Sequence, residues 1–148
     1  MNLLNVASIL CIGLLIGAEF AVSAFLNPVL EKLDVVTQAQ AIPHFGRRLG
    51  SAMPSWYIAC LLFLLLETIT HRYEPIVVLL GAAIAIWIAA IALSLLILVP
   101  INNRLVRMDA DEFTKSAQRQ LRRWDSLHRV RVLLLVVAMI LFLAGIGI

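Results

Sequence analysis

Charge is scarce in this chain. Asp, Glu, Lys and Arg supply 14% of its 148 residues, against about 25% in ordinary soluble domains. Cysteine is limited to Cys11 and Cys60, which lie in separate apolar runs at apparently different depths and form no CxxC. That argues against a thiol–disulfide mechanism and for two small buried thiols. There are three histidines, with no HExxH and no Cys/His cluster at metal-binding spacing. No GxGxxG or Walker loop offers a phosphate cradle, and no GxSxG offers a hydrolase nucleophile. The net charge of +3 comes without an aromatic–basic platform, so nucleic acid is not an expected partner. Internal repeats, low-complexity runs and linkers are missing as well.

What remains is overwhelmingly apolar. Hydrophobic residues make up 62% of the chain and mean hydropathy is +0.98, the signature of an integral membrane protein. Residues 3–26, 52–70, 76–101 and 132–148 are runs of spanning length, near the roughly 20 residues that cross a bilayer. The last is short, about 25 Å as a helix. The first has no basic leader region and continues through Glu19 to Asn27-Pro28, so it reads as a span and not a cleaved signal. Eleven of the twelve Lys/Arg fall in residues 31–53 and 102–131, and only Arg72 lies on the other side. The positive-inside rule then puts both termini outside and both longer connections in the cytosol. The expected architecture is all-α: a single four-helix transmembrane domain over 1–148, lying in the lipid bilayer. It is a multi-pass protein of a cell membrane of the bacterial inner-membrane type, and its long fourth helix starts in the cytosol.

Several polar residues interrupt this pattern. Glu19 sits deep in the first run, where a carboxylate must pair, face the interior or stay protonated. Ser23 and Asn27 follow it at four-residue spacing. Gly13 and Gly17 form a small-xxx-small pair, expected to pack within the bundle, with a homo-oligomer as the alternative. Pro43 is expected to interrupt a surface helix, leaving His44 at the interface or above a pocket. Trp56 and Tyr57 read as an aromatic belt, and Glu67 with His71 as an interfacial pair. Gly81, Ala85, Ala89 and Ala92 suggest a close-packed face on the third span. Pro100 should free carbonyls near Asn102 and Asn103. A polar loop with Asp109, Asp111 and Glu112 leads to a helix from Thr114. On it Trp124, His128 and Arg131 (i, i+4, i+7) share one face.

The topology therefore gathers Glu19, Ser23, Asn27, Asn102, Asn103, Trp124, His128 and Arg131 in one half of the bundle. His128 or Glu19 is a candidate base, and Arg131 a candidate oxyanion partner. The bland alternative is a structural lock in which Arg131 pairs with Glu19. A haem or a metal ion held by His128 with Glu19 or His44 is a further alternative, as is a non-enzymatic small-molecule binder or partner subunit.

Three stretches resemble the anthrone oxygenase-like family of small membrane proteins. They are Gly17-Ala18-Glu19-Phe20 with Asn27-Pro28, then Pro100-Ile101-Asn102-Asn103-Arg104-Leu105, and Arg123-Trp124-Asp125-Ser126-Leu127-His128-Arg129-Val130-Arg131 with its W-x-x-L-H-x-x-R pattern. The resemblance implies a four-helix membrane bundle. It also implies oxidation of a lipophilic aromatic of the anthrone or quinol type by dioxygen, without an obvious organic cofactor. His128, Glu19 and Arg131 would be catalytic, and Trp124, Asn102, Asn103, Asn27 and Ser23 would contact the substrate.

Overall fold

In the computed structural model, which describes residues 2–107 and 115–148, the chain is all-helical, with no strand among those residues. The expected polar loop at Asp109, Asp111 and Glu112 and the helix start at Thr114 lie outside the described residues. Four helices are long and apolar enough to cross a membrane. We label them α1 (Leu3–Lys32), α2 (Val35–Thr70), α3 (Val77–Arg107) and α4 (Lys115–Gly145).

Each helix runs further than its apolar run. α1 opens with a reciprocal cap, in which Asn2 Oδ1 accepts from the Asn5 amide at 2.8 Å and Asn5 Oδ1 from the Asn2 amide at 3.2 Å. The turn into α2 is only Leu33 and Asp34. Asp34 caps α2 by accepting from the Thr37 amide (3.0 Å) and hydroxyl (2.6 Å). Those bonds favour its ionised form and hold its carboxyl below the usual range. The buried Gln38 amide donates to the carbonyls of Leu30, Glu31 and Leu33 at the end of α1, where the helix has few amides left to pair them. α2 continues unbroken through Pro43 and Pro54, so Pro43 does not interrupt it as expected.

Prolines shape the other two helices that contain them differently. α1 widens into a π turn at Val22–Leu26 and α3 at Ser94–Leu98. Each π turn ends two residues before a proline, Pro28 and Pro100. Widening moves carbonyls away from a ring that cannot donate and would otherwise clash with the preceding turn. The extra residue also changes facing. Side chains spaced 19, 23, 27 drift by about 80° around a regular α-helix, yet Glu19, Ser23 and Asn27 are all buried.

One apolar core draws on all four helices: Ile12 and Leu15, Cys60 and Leu64, Leu80 and Trp87, Leu135 and Phe142. A smaller cluster of Ala39, Ile42, Leu105 and Ala117 seals the end where α1 meets α2 and α3 approaches α4. This is the basic end. The outward surface is apolar too, with Leu10, Leu14, Ile58, Leu62, Ile88 and Leu133 exposed. Such a coat fits lipid and not water.

Three expectations about packing are corrected. Gly13, Gly17 and Gly81 have no neighbour within 4 Å of a built Cβ, and Ala85 and Ala89 are exposed. The small-residue faces therefore point out of the bundle, because α3 turns the larger Leu80 and Trp87 inward. The two cysteines do meet, with sulfurs 3.6 Å apart, because α1 and α2 run antiparallel and bring positions 11 and 60 level. Glu67 is not interfacial. It is fully buried and accepts from Ser8 of α1 at 3.0 Å, while His71 Nδ1 stays 3.9 Å from its other oxygen.

Candidate functional site

Arg131 enters the bundle interior from α4, below the basic end, and is nine-tenths buried. A guanidinium cannot shed its charge there, so it must be surrounded by acceptors. One terminal nitrogen lies 2.6 Å from Glu19 Oε2 on α1. The other donates to Ser94 Oγ on α3 at 3.0 Å, and Ser94 in turn bonds the Ala90 carbonyl of its own helix. The guanidinium carbon stands 5.6 Å from the Tyr57 ring centre on α2. One side chain thus touches the other three helices. Its Nε is buried and has no hydrogen-bond partner among the described residues.

Glu19 is held on both oxygens, since Tyr57 donates its phenol proton to Oε1 at 2.9 Å. Tyr57 is itself fixed through its backbone carbonyl, which accepts from Trp87 Nε1 at 3.2 Å. His128 is fully buried behind Arg131. Its Nδ1 lies 2.8 Å from the Arg131 nitrogen that also meets Glu19, and 3.5 Å from Glu19 Oε2. Its Nε2 lies 3.1 Å from the Glu19 backbone carbonyl. Arginine only donates and a carbonyl only accepts. The ring is therefore neutral, with the proton on Nε2 and the Nδ1 lone pair taken by Arg131. Trp124 stacks on it at 4.8 Å between centres and 9° between planes.

Tyr57, Ser94, Trp124 and Arg131 border a cavity of about 240 Å³. Its polar lining comes from Asn27, Tyr57, Ser94, Asn102, Trp124 and Arg131, and the rest is mainly aliphatic, as at Leu26, Met53 and Leu98. Glu19 and His128 do not line it and stand behind Tyr57 and Arg131. Ser23 is buried on α1 but does not line it either. Asn27 lines it while donating to Asp125, which also pairs with Arg129 at 2.8 Å. Asn102 reaches not the Arg131 cluster but the Gly46 carbonyl on α2, at 3.5 Å. Asn103 is exposed and takes no part.

The sequence reading missed Tyr57 and Ser94. Trp56 and Tyr57 do not form a belt: Trp56 donates to the Cys11 carbonyl at 3.1 Å and Tyr57 is buried. A signal for Tyr57 was present. Positions 57, 60, 64 and 67 share one helical face, and all four are buried.

A metal or haem is poorly served by these residues. His44 is exposed on α2 beside Arg47, Arg48 and Ser51, away from His128 and Glu19. Among the described residues no group of three or more His, Cys, Asp or Glu could hold a metal ion. Both His128 nitrogens are engaged within the protein, which leaves no free lone pair for an axial ligand.

A family model described as anthrone oxygenase matches residues 43–141, about two thirds of the chain. The match takes in Tyr57, Ser94, Asn102, Trp124, His128 and Arg131, and begins after Glu19, Ser23 and Asn27. No curated protein and no solved structure matches the chain.

Proposed function

The chain belongs to the anthrone oxygenase family, and on that premise we propose that it is a membrane oxygenase acting on a lipophilic anthrone- or quinol-type aromatic held in the 240 Å³ cavity. The observation that carries this reading is a buried guanidinium, Arg131, lining a mainly apolar chamber, with its Nε–H lacking a partner among the described residues. A buried donor without an acceptor is costly unless something supplies one. An enolate or phenolate oxygen is the acceptor that such a site would stabilise most.

The chemistry follows from the order of groups. The substrate oxygen accepts from Arg131, which acidifies the ring methylene conjugated with it across the central ring. Tyr57 takes a proton from that carbon as its own phenol proton passes to Glu19 Oε1. His128 is a positioning residue, whose Nδ1 holds the guanidinium at the right height, and Trp124 offers a flat face at the cavity wall. The electron-rich carbanion transfers an electron to dioxygen, and the resulting pair combines to a peroxide on the same carbon. Protonation gives a hydroperoxide, and loss of water with the remaining carbon-bound hydrogen leaves a carbonyl. Overall, anthrone plus dioxygen gives anthraquinone plus water, with all four electrons drawn from the substrate methylene. Dioxygen dissolves readily in the apolar interior where this occurs.

The excess of Lys/Arg at one end supports the same placement in the cell. The basic end faces the cytosol, both termini face out, and the cavity lies in the cytosolic half of a membrane of the bacterial inner-membrane type.

Protein reconstituted in lipid nanodiscs, supplied with anthrone and followed by oxygen electrode and anthraquinone absorbance, tests the reaction. Turnover should exceed the protein-free autoxidation rate, and Tyr57→Phe should lower kcat about 100-fold, the scale of a lost acid–base group. Dioxygen uptake equal to that of empty nanodiscs would refute the reading.

A further inference from the structure

We propose that the cavity is reached sideways from the bilayer, through a window between α2 and α3 that admits a small, flat, uncharged aromatic already dissolved in lipid. This rests on the reading of the cavity as a substrate site and adds the route and the class of molecule that can take it.

The lining residues divide by exposure. Those from α1 and α4 are buried or half-buried, while every exposed one lies on α2 or α3. On α2 these include Gly50, Pro54 and Ile58, spaced four apart along one edge. On α3 they are Leu95 and Val99, again four apart. Ile58 is 57% and Leu95 61% exposed, although both line an interior chamber. A residue can do both only at a mouth.

The window has two fixed ends. Towards the middle of the bundle, Trp87 of α3 bonds the Tyr57 carbonyl of α2. Towards the basic end, Asn102 of α3 bonds the Gly46 carbonyl. The helices approach so closely there that a Cβ on Gly46 would lie 2.8 Å from Asn102 Oδ1 and from Val106 Cγ2. Between those ties the two helices share the gap. Water has a poor alternative route, because Ile42, Leu105 and Ala117 with Leu121 form an apolar plug at the basic end.

The rim decides what passes. Its side chains are Pro54, Ile58, Leu95 and Val99, none of which can replace a hydration shell, so an ionised molecule would be turned away. The chamber is smaller than the roughly 300–1,000 Å³ of drug-sized sites, which favours a compact, rigid occupant over an acyl chain. The π turn at Ser94–Leu98 contributes both the rim residue Leu95 and the Arg131 acceptor Ser94. One local distortion therefore builds the mouth and the polar end of the chamber.

The test compares rates with affinities. Anthrone is delivered in lipid vesicles and its quenching of tryptophan fluorescence is followed by stopped flow. Narrowing the window with Ile58→Phe and Leu95→Phe together should slow both association and dissociation at least tenfold. Leu62→Phe, on the exposed face of α2 outside the window, should match wild type. Anthraquinone-2-sulfonate, which stays in water, should not compete with anthrone for the wild-type protein. Unchanged rates in the narrowed protein, or competition by the sulfonate, would overturn the window while leaving the substrate site standing. If the narrowed protein does not fold, the sulfonate competition decides by itself. Absence of anthrone binding to the wild type would instead remove the substrate site, and the window with it.

Discussion

Glu19 and Glu67 are both carboxylates buried in one bundle, and their surroundings predict opposite responses to the same substitution. Glu19 faces a guanidinium at 2.6 Å and a phenol at 2.9 Å. Neutralising it strands Arg131 in a dry interior, and breaking such a pair from one side typically costs about 3–5 kcal/mol. Among the described residues Glu67 has no cation as close, only His71 Nδ1 at 3.9 Å. One oxygen takes the Ser8 hydroxyl and the other has no hydrogen-bond partner. In Glu67→Gln the amide oxygen can still accept from Ser8 while a poorly compensated carboxylate disappears. Thermal unfolding in detergent should therefore show Glu19→Gln much less stable than wild type and Glu67→Gln equal or more stable. Equal losses for the two would mean that Arg131 does not depend on Glu19. The shared inward face of Trp124, His128 and Arg131 was legible because three residues at i, i+4, i+7 must share a face. The neutral state of His128 was not, since it depends on which group lies against each nitrogen.

At the scale of elements, helix length and side-chain facing parted company. The apolar runs located four helices, but hydropathy sees only the part that must avoid water. It missed the polar continuation of α1 into Lys32, and the fusion of the expected surface helix before Pro43 with the second span into one α2 from Val35. Facing failed wherever small residues were taken as packing signals, because in lipid a glycine can equally lie on the outside. It also failed where depth was counted along each span alone, as for the cysteines. Their 3.6 Å contact gives a direct check on the α1–α2 register. Copper phenanthroline should join Cys11 and Cys60 within one chain, giving a single disulfide-linked peptide pair by mass spectrometry. Cross-linking only between chains would place these helices out of register. The π turns were legible in part. Pro28 and Pro100 follow the two widened turns, but α2 carries Pro43 and Pro54 without one, so a proline alone does not tell a widened turn from a break or from regular helix.

For the whole molecule the open question is which way the basic end points. Single cysteines at the exposed positions Tyr73 and Arg119 should separate the two sides in intact cells. Tyr73→Cys, at the α2–α3 turn, should react with a membrane-impermeant maleimide, and Arg119→Cys should react only after lysis. The reverse pattern would invert the topology and move the cavity to the outer leaflet. Arg131 adds a consequence in time. The ribosome releases this chain from its N-terminus, so Glu19 enters the membrane first and its counter-charge only with the last helix. Until then the insertion machinery holds three hydrophobic helices around an acid without its cation. Arrival of α4 ties α1, α2 and α3 to one side chain in a single step. A nascent chain stopped before residue 131 cannot make that closure, however hydrophobic its helices.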